Sequence, residues 1–316
     1  MVSIFHSNYK EYSEEHVQAV LKYCGKKRNI IHKLKKYDKY VLQYFYPHLT
    51  DMKSLLEADA MKLIGIKKHF DSLDIKTQKV IRKKLNLKGL YNYFIGSKFQ
   101  RDDGTVYNSA FLASHISVPV CPYCNENYTY NIVYKKYPTY RRSFDWDHLY
   151  NKDKYPFLAV SYFNLVPSCK FCNFIKLNQN LDFLNPHLDV NADELFQYYF
   201  HPFDLGFLQN EESIKVAILY NKKSPYYEEI KHTVKTAALL ARVANHKMII
   251  RDTINRHRIY PDDYLSSLPS MSDGDDTNTG LQYYESKYSV SYNSEEYYMR
   301  PFSKLTKDVL FSLEKS

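Results

Sequence analysis

Residues 143 to 176 read SFDWDHLYNKDKYPFLAVSYFNLVPSCKFCNFIK, and this stretch decides the fold. Working backwards from it, YTYNIVY (128 to 134), a KKYP turn and TYRRSFDWDH (139 to 148) read as a β-hairpin. In such a strand Asp145 and Asp147 share one face, because side chains alternate with a period of two. Working forwards, the run after Cys172, NFIKLNQN, can start a helix. Two Cys-x-x-Cys pairs bracket the hairpin: Cys121-Pro-Tyr-Cys124 before it and Cys169-Lys-Phe-Cys172 after it, 45 residues apart from Cys124 to Cys169.

Each pair places two thiolates on one tight turn, and four thiolates at the corners of a tetrahedron suit Zn²⁺. The fifth cysteine, Cys24, stands alone, so the pattern is metal-site arithmetic rather than a disulfide framework. The competing readings are a redox pair and ordinary buried thiols. Closed four-cysteine coordination leaves no open position, so a zinc held by Cys121, Cys124, Cys169 and Cys172 holds the fold and is not a catalyst.

Between the pairs stands Asp147-His148, and Asn173 follows the last cysteine directly. Singly these residues are bland, since Asp-His is a common surface turn and an Asn beside a cysteine pair can cap a helix. In order, with fifteen residues between His148 and Asn164 and eight between Asn164 and Asn173, the segment resembles the HNH, or ββα-metal, endonucleases. The variant is the one ending in Asn, as in zinc-containing phage Holliday-junction resolvases. The likeness covers roughly 121 to 186, about a fifth of the chain.

The resemblance implies that Asp147 and Asn173 ligate a catalytic divalent ion, that His148 is the general base, and that Asn164 ties the loop to the strand and orients His148. Elementary chemistry agrees. Phosphodiester hydrolysis needs a base with a pKa near 7, which suits imidazole, and a cation to stabilise charge on the phosphate. A carboxylate and an amide carbonyl are hard oxygen donors that favour Mg²⁺ or Mn²⁺. Asp145 either assists the metal or supports the hairpin. Arg141, Arg142, Lys170 and Lys176 are candidates for flanking phosphates, with solvated charge as the alternative for each. Lys154-Tyr155-Pro156 and Asn185-Pro186-His187 are similar to elements of Septu-type and retron-associated antiphage defence nucleases. His187 is there either a supporting or phosphate contact or a surface turn. That subgroup implies an effector working with an ATPase or other sensor subunit.

The wider chain sets the limits. With 44% hydrophobic and 25% charged residues in 316, the composition is that of a globular protein needing no disulfides. Residues 1 to 110 hold 21 Lys and Arg against 11 Asp and Glu, a net of +10 that leaves the rest of the chain at −1, which points to a polyanion such as nucleic acid, with solvated helix faces as the alternative. No stretch approaches the apolar length of a membrane span and no secretory signal is evident, so the expectation is a cytoplasmic protein. A surplus of 32 tyrosines mostly supplies cores and polar-tipped interfaces.

The expected fold is α+β: a basic helical region (1 to 110), a ββα-metal core with a zinc knuckle (111 to 190), and a mainly helical C-terminal region (191 to 316). The last includes a strand at SIKVAILY (213 to 220), one long helix over 224 to 260 capped by Ser224, a flexible acidic loop at 270 to 280, and a closing helix at LTKDVLFSLEK. The expected activity is metal-dependent cleavage of nucleic acid, DNA by default with tRNA or other RNA as the alternative substrate. A zinc module that binds nucleic acid without cutting is the rival reading; it has no need of Asp147-His148 between the pairs.

Overall fold

The computed structural model describes residues 1–5, 8–26, 28–96, 99–101, 103–133, 140–176, 183–202, 205–260 and 283–314. The acidic stretch 270 to 280, expected to be a flexible loop, lies outside the described residues. The fold is α+β: helices accompany two-stranded antiparallel sheets, four of them among the described residues. Two compact units divide the chain, and each draws on separated stretches of sequence.

One unit comprises Phe5–Val118 and Thr129–Asn173. Its helices are α1 (Tyr9–Lys26), α2 (Arg28–Phe45), α3 (Met52–Leu56), α4 (Ala60–Ser72), α5 (Ile75–Lys84), α6 (Lys88–Ile95) and α7 (Ser109–Ile116). Short polar residues set several of their starts. Asp51, Asp59, Asp74 and Asn108 each accept backbone N–H bonds from the first turn, and Asp51 with Ser54 forms a reciprocal capping box. Phe45, Phe70 and Phe94 are fully buried, and Phe157, from the loop after His148, packs between Phe45 and Phe70 with ring centroids 5.1 and 5.0 Å away. Tyr155 donates its hydroxyl to Asp71 at 2.8 Å. The helical layer thus fixes the loop that leaves the Asp-His strand.

Strands β1 (Phe99–Gln100) and β2 (Val106–Tyr107) form a short ribbon; β3 (Asn131–Val133) pairs with β4 (Tyr140–Arg142). The expected hairpin is therefore shorter than the sequence pattern implied, with a break at Ser143. Beyond it β5 (Phe144–His148) pairs with β6 (Leu165–Cys169), in the register Asp145↔Ser168, Asp147↔Val166 and His148↔Leu165. Pro167 lies opposite Trp146 in β6; it lacks a donor, which a two-stranded ribbon tolerates because each strand keeps an unpaired edge. Helix α8 (Lys170–Lys176) follows β6 without a loop.

The other unit comprises Met1–Ile4, Pro119–Tyr128 and Phe174–Ser316. Its hairpin joins β7 (Phe196–Pro202) to β8 (Ile214–Tyr220), so the SIKVAILY segment is a strand as expected. The single helix expected over 224 to 260 is instead three: α9 (Tyr227–Thr236), α10 (Leu239–Asn245) and α11 (Lys247–Ile259). Ala238 sits at φ 53°, in the left-handed region, and His246 leaves helical geometry. Tertiary bonding accounts for the breaks, because Arg242 and His246 both reach the Glu126 carboxylate and Arg242 Nε caps the freed carbonyl of Ala237 at 2.8 Å. Ser224 does not cap a long helix; its hydroxyl accepts from Tyr226 N in the turn before α9. A terminal helix, Ser303–Glu314, closes the unit, with Lys304 and Asp308 paired in its interior at 2.6 Å. No described helix is long and apolar enough to cross a membrane.

Candidate functional site

The four cysteines expected to bind metal come together. Their sulfurs all lie within 4.8 Å of one another, and all four residues are buried. Zn–S bonds of about 2.3 Å put tetrahedral sulfurs about 3.8 Å apart, so the cluster has the dimensions of a zinc site. Its donors are chemically uniform and soft, which favours zinc over a hard cation. Each pair is shaped locally. The backbone N–H of Cys172 points at Cys169 Sγ, 3.4 Å away, a bond that stabilises thiolate charge. On the other turn Asn125 takes a left-handed φ of 52°, and its N–H reaches back to Cys121 O at 2.8 Å. Asn125 also anchors its turn through its amide, donating to Tyr297 O and accepting from Lys304 N.

Asp147 and His148 end β5, and both are buried, at 5% and 7% exposure. His148 Nε2 lies 3.0 Å from Ala159 O. A carbonyl only accepts, so Nε2 carries the hydrogen and Nδ1 is the basic nitrogen of the neutral ring. Asn164, fully buried just before β6, holds the intervening loop shut. Its Oδ1 accepts from Tyr150 N at 2.7 Å, and its Nδ2 donates to Leu158 O at 2.9 Å and Tyr150 O at 3.2 Å. Its own carbonyl accepts from Leu149 N at 2.9 Å. Because Leu158 adjoins Ala159, these bonds fix the carbonyl to which His148 is tied.

On α8, Asn173 lies with its side-chain nitrogen 3.4 Å from Asp145 Oδ2. The strand thus offers two carboxylates of one parity, Asp145 and Asp147, with the helix amide beside the first. Arg142 completes the electrostatic surroundings. Its guanidinium is 5.7 Å from the Phe144 ring, and its Nη1 is buried without a hydrogen-bond partner. Burial lowers its pKa, opposed by Tyr91 and Asp145.

Tyr91, on α6, is the residue that sequence reasoning missed. Its ring meets the His148 imidazole edge-to-face with centroids 4.5 Å apart, and the Lys152 ammonium lies 4.9 Å from the same ring. Burial pushes its hydroxyl up to about 12; Arg142 opposes this and Asp145 and Asp147 reinforce it. The hydroxyl therefore stays protonated at neutral pH, a donor among charged groups. No spacing signal marked it among the tyrosines.

The remaining candidates are dispersed. Lys170 is exposed on α8, whereas Lys176 is buried with its ammonium 5.4 Å from the Phe183 ring. The side chain of Arg141 lies outside the described residues. His187 is not in a surface turn: it is 4% exposed, in a buried turn where its N–H bonds Asn185 Oδ1 at 3.0 Å. Comparison with protein families, curated proteins and solved structures gives no match.

Proposed function

We propose that this chain is a metal-dependent nuclease of the HNH, or ββα-metal, type that hydrolyses phosphodiester bonds. The observation that carries the proposal is the succession β5, β6, α8, which sets Asp147-His148 at the end of the first strand, Asn164 at the entry to the second and Asn173 on the helix. The four-cysteine cluster supports it by giving the strand–helix junction a metal-sized anchor.

In this reading His148 takes the proton of the attacking water at Nδ1. Ala159 O holds the opposite nitrogen, so the imidazolium formed keeps its orientation. Asn164 is a positioning residue acting through Leu158 and its neighbour. Asp147 and Asn173, with Asp145 beside the amide, supply the hard oxygen donors that suit Mg²⁺ or Mn²⁺. When bound, such an ion supplies positive charge against the phosphate and the departing oxygen. The unpartnered Nη1 of Arg142 is a buried donor suited to a phosphate oxygen. DNA is the default substrate and RNA the alternative, since such a site grips a phosphate rather than a base.

Incubating the full chain with DNA and with total RNA, with and without added Mn²⁺, tests the proposal. The expected result is ion-dependent cleavage that disappears in His148→Ala. Equal cleavage by that variant refutes the assigned base.

A further inference from the structure

Helix α5 contains five basic residues among ten and no acidic one; α2 contains a single acid, Asp38. Ordinary solvated lysine helices are laced with Glu or Asp one turn away, which neutralises them. Here Lys35, Lys36 and Lys39 on α2, and Lys76, Lys79 and Lys83 on α5, are all exposed, and among the described residues none of them makes an ion pair. The carboxylates nearby are already committed. Asp38 accepts from Met52 N at 2.9 Å, Asp71 is shared by Lys67, Lys154 and Tyr155, and Asp74 caps α5 through Lys76 N, Thr77 N and Thr77 Oγ1.

The two helices pack on each other, and Lys84 of α5 lies 5.5 Å from the Tyr40 ring of α2. Val41, Phe45 and Ile81 are fully buried beneath them, which fixes the lysines on the outward side. Positions 76, 79 and 83 follow i, i+3, i+7 and so form one row about 10 Å long. Lys35 and Lys39 form a similar pair one turn apart. Such rows of exposed cations without ion pairs suit a polymer that repeats its negative charge at short intervals.

We propose that the outer faces of α2 and α5 form one surface that binds the sugar–phosphate backbone of a nucleic acid. The choice of nucleic acid over another polyanion rests on the nuclease reading, because Asp147 and His148 belong to the same compact unit as these helices. The surface grips without reading sequence, so it holds substrate rather than selecting a site.

Fluorescence anisotropy of the full chain with short labelled DNA and RNA, without added Mg²⁺ or Mn²⁺, tests this. Two variants are compared with wild type, Lys76→Gln with Lys79→Gln and Lys83→Gln, and Lys35→Gln with Lys36→Gln and Lys39→Gln. All six side chains are exposed, so near-ultraviolet circular dichroism should stay as in wild type. Each variant is expected to lose about tenfold in affinity, and its slope of log affinity against log salt on duplex DNA to shrink by about 2 to 3. Wild-type affinity and slope in both variants overturn the proposal. So does lysine-dependent binding to phosphatidylserine vesicles without binding to either nucleic acid. Lysine-dependent binding with no Mn²⁺-dependent cleavage keeps the surface and refutes the nuclease; cleavage with unaltered binding does the reverse.

Discussion

Replacing Asn164 by Asp keeps the shape of the side chain and reverses one half of its bonding. The oxygen that accepts from Tyr150 N survives, but the amide nitrogen that donates to Leu158 O at 2.9 Å and Tyr150 O at 3.2 Å becomes a second oxygen facing two carbonyls. The residue is fully buried, so no water can relieve the conflict. If the new carboxyl stays protonated it can serve one carbonyl, and near pH 7.5 holding that proton costs about 5 kcal/mol against an ordinary Asp pKa of about 3.9. If it ionises, a buried charge confronts two carbonyl oxygens at a cost of several kcal/mol. The cheaper route prevails, giving a loss of about 3 to 5 kcal/mol near pH 7.5.

Near pH 5 the protonation cost falls to about 1.5 kcal/mol, and the lost second bond adds about 1 kcal/mol. The sign follows from linkage: the folded variant holds a proton that the unfolded chain releases, so its deficit grows as pH rises above about 4. Urea unfolding followed at Trp146 is the assay. It is the one tryptophan, it is 5% exposed, and it lies on β5 itself, with its indole N–H bonded to Ser109 O. A deficit that is small at both pH values, or that does not narrow on acidification, refutes the bonding scheme that anchors the loop behind His148.

Other consequences are separately measurable. His16 is fully buried, donating from Nε2 to Val160 O at 2.8 Å and accepting from Tyr107, and burial lowers its pKa to about 4, partly offset by the Val160 bond. Its contribution is intact above about pH 6.5 and is lost as pH falls toward 4, worth about 3 kcal/mol. Urea midpoints across that window should fall in wild type and flatten in His16→Gln; an unchanged slope in the variant contradicts the assignment. Cys124→Ser and Cys172→Ser should each lose the zinc that wild type retains through dialysis, read by elemental analysis, and wild type purified without zinc would sink the cluster as a metal site. Tyr91→Phe keeps the ring against His148, whereas Tyr91→Leu removes it. The first should cleave near the wild-type rate and the second about 10- to 100-fold slower in kcat with little change in KM; equal rates for all three dismiss Tyr91 as a positioning residue.

Local chemistry was legible in the sequence where it is chelating. Cys-x-x-Cys spacing itself places two thiolates on one turn, so each pair was legible locally, and the expectation that Cys121, Cys124, Cys169 and Cys172 share one ion came from zinc's preference for four such donors. Partner choice was less legible. Alternation over 139 to 148 signals extended chain but not which strand receives it, and β6 was hidden because Leu-Val-Pro-Ser-Cys carries a proline and lacks alternation. The alanine-rich run around Ala238 has high helix propensity, yet the helix breaks there, where Arg242 and His246 reach Glu126 and Arg242 caps the Ala237 carbonyl. Tyr91 entered the site through the contact of its ring with His148, a long-range contact that no periodicity encodes.

The most direct test compares zinc-loaded, dialysed wild type with His148→Ala on labelled DNA and RNA, before and after adding Mn²⁺. Two metals with different duties predict an inert wild-type protein with zinc alone, cleavage once Mn²⁺ is added, and none from His148→Ala in either state. Cleavage by His148→Ala at the wild-type rate, or cleavage by wild type that the added ion does not change, contradicts the account.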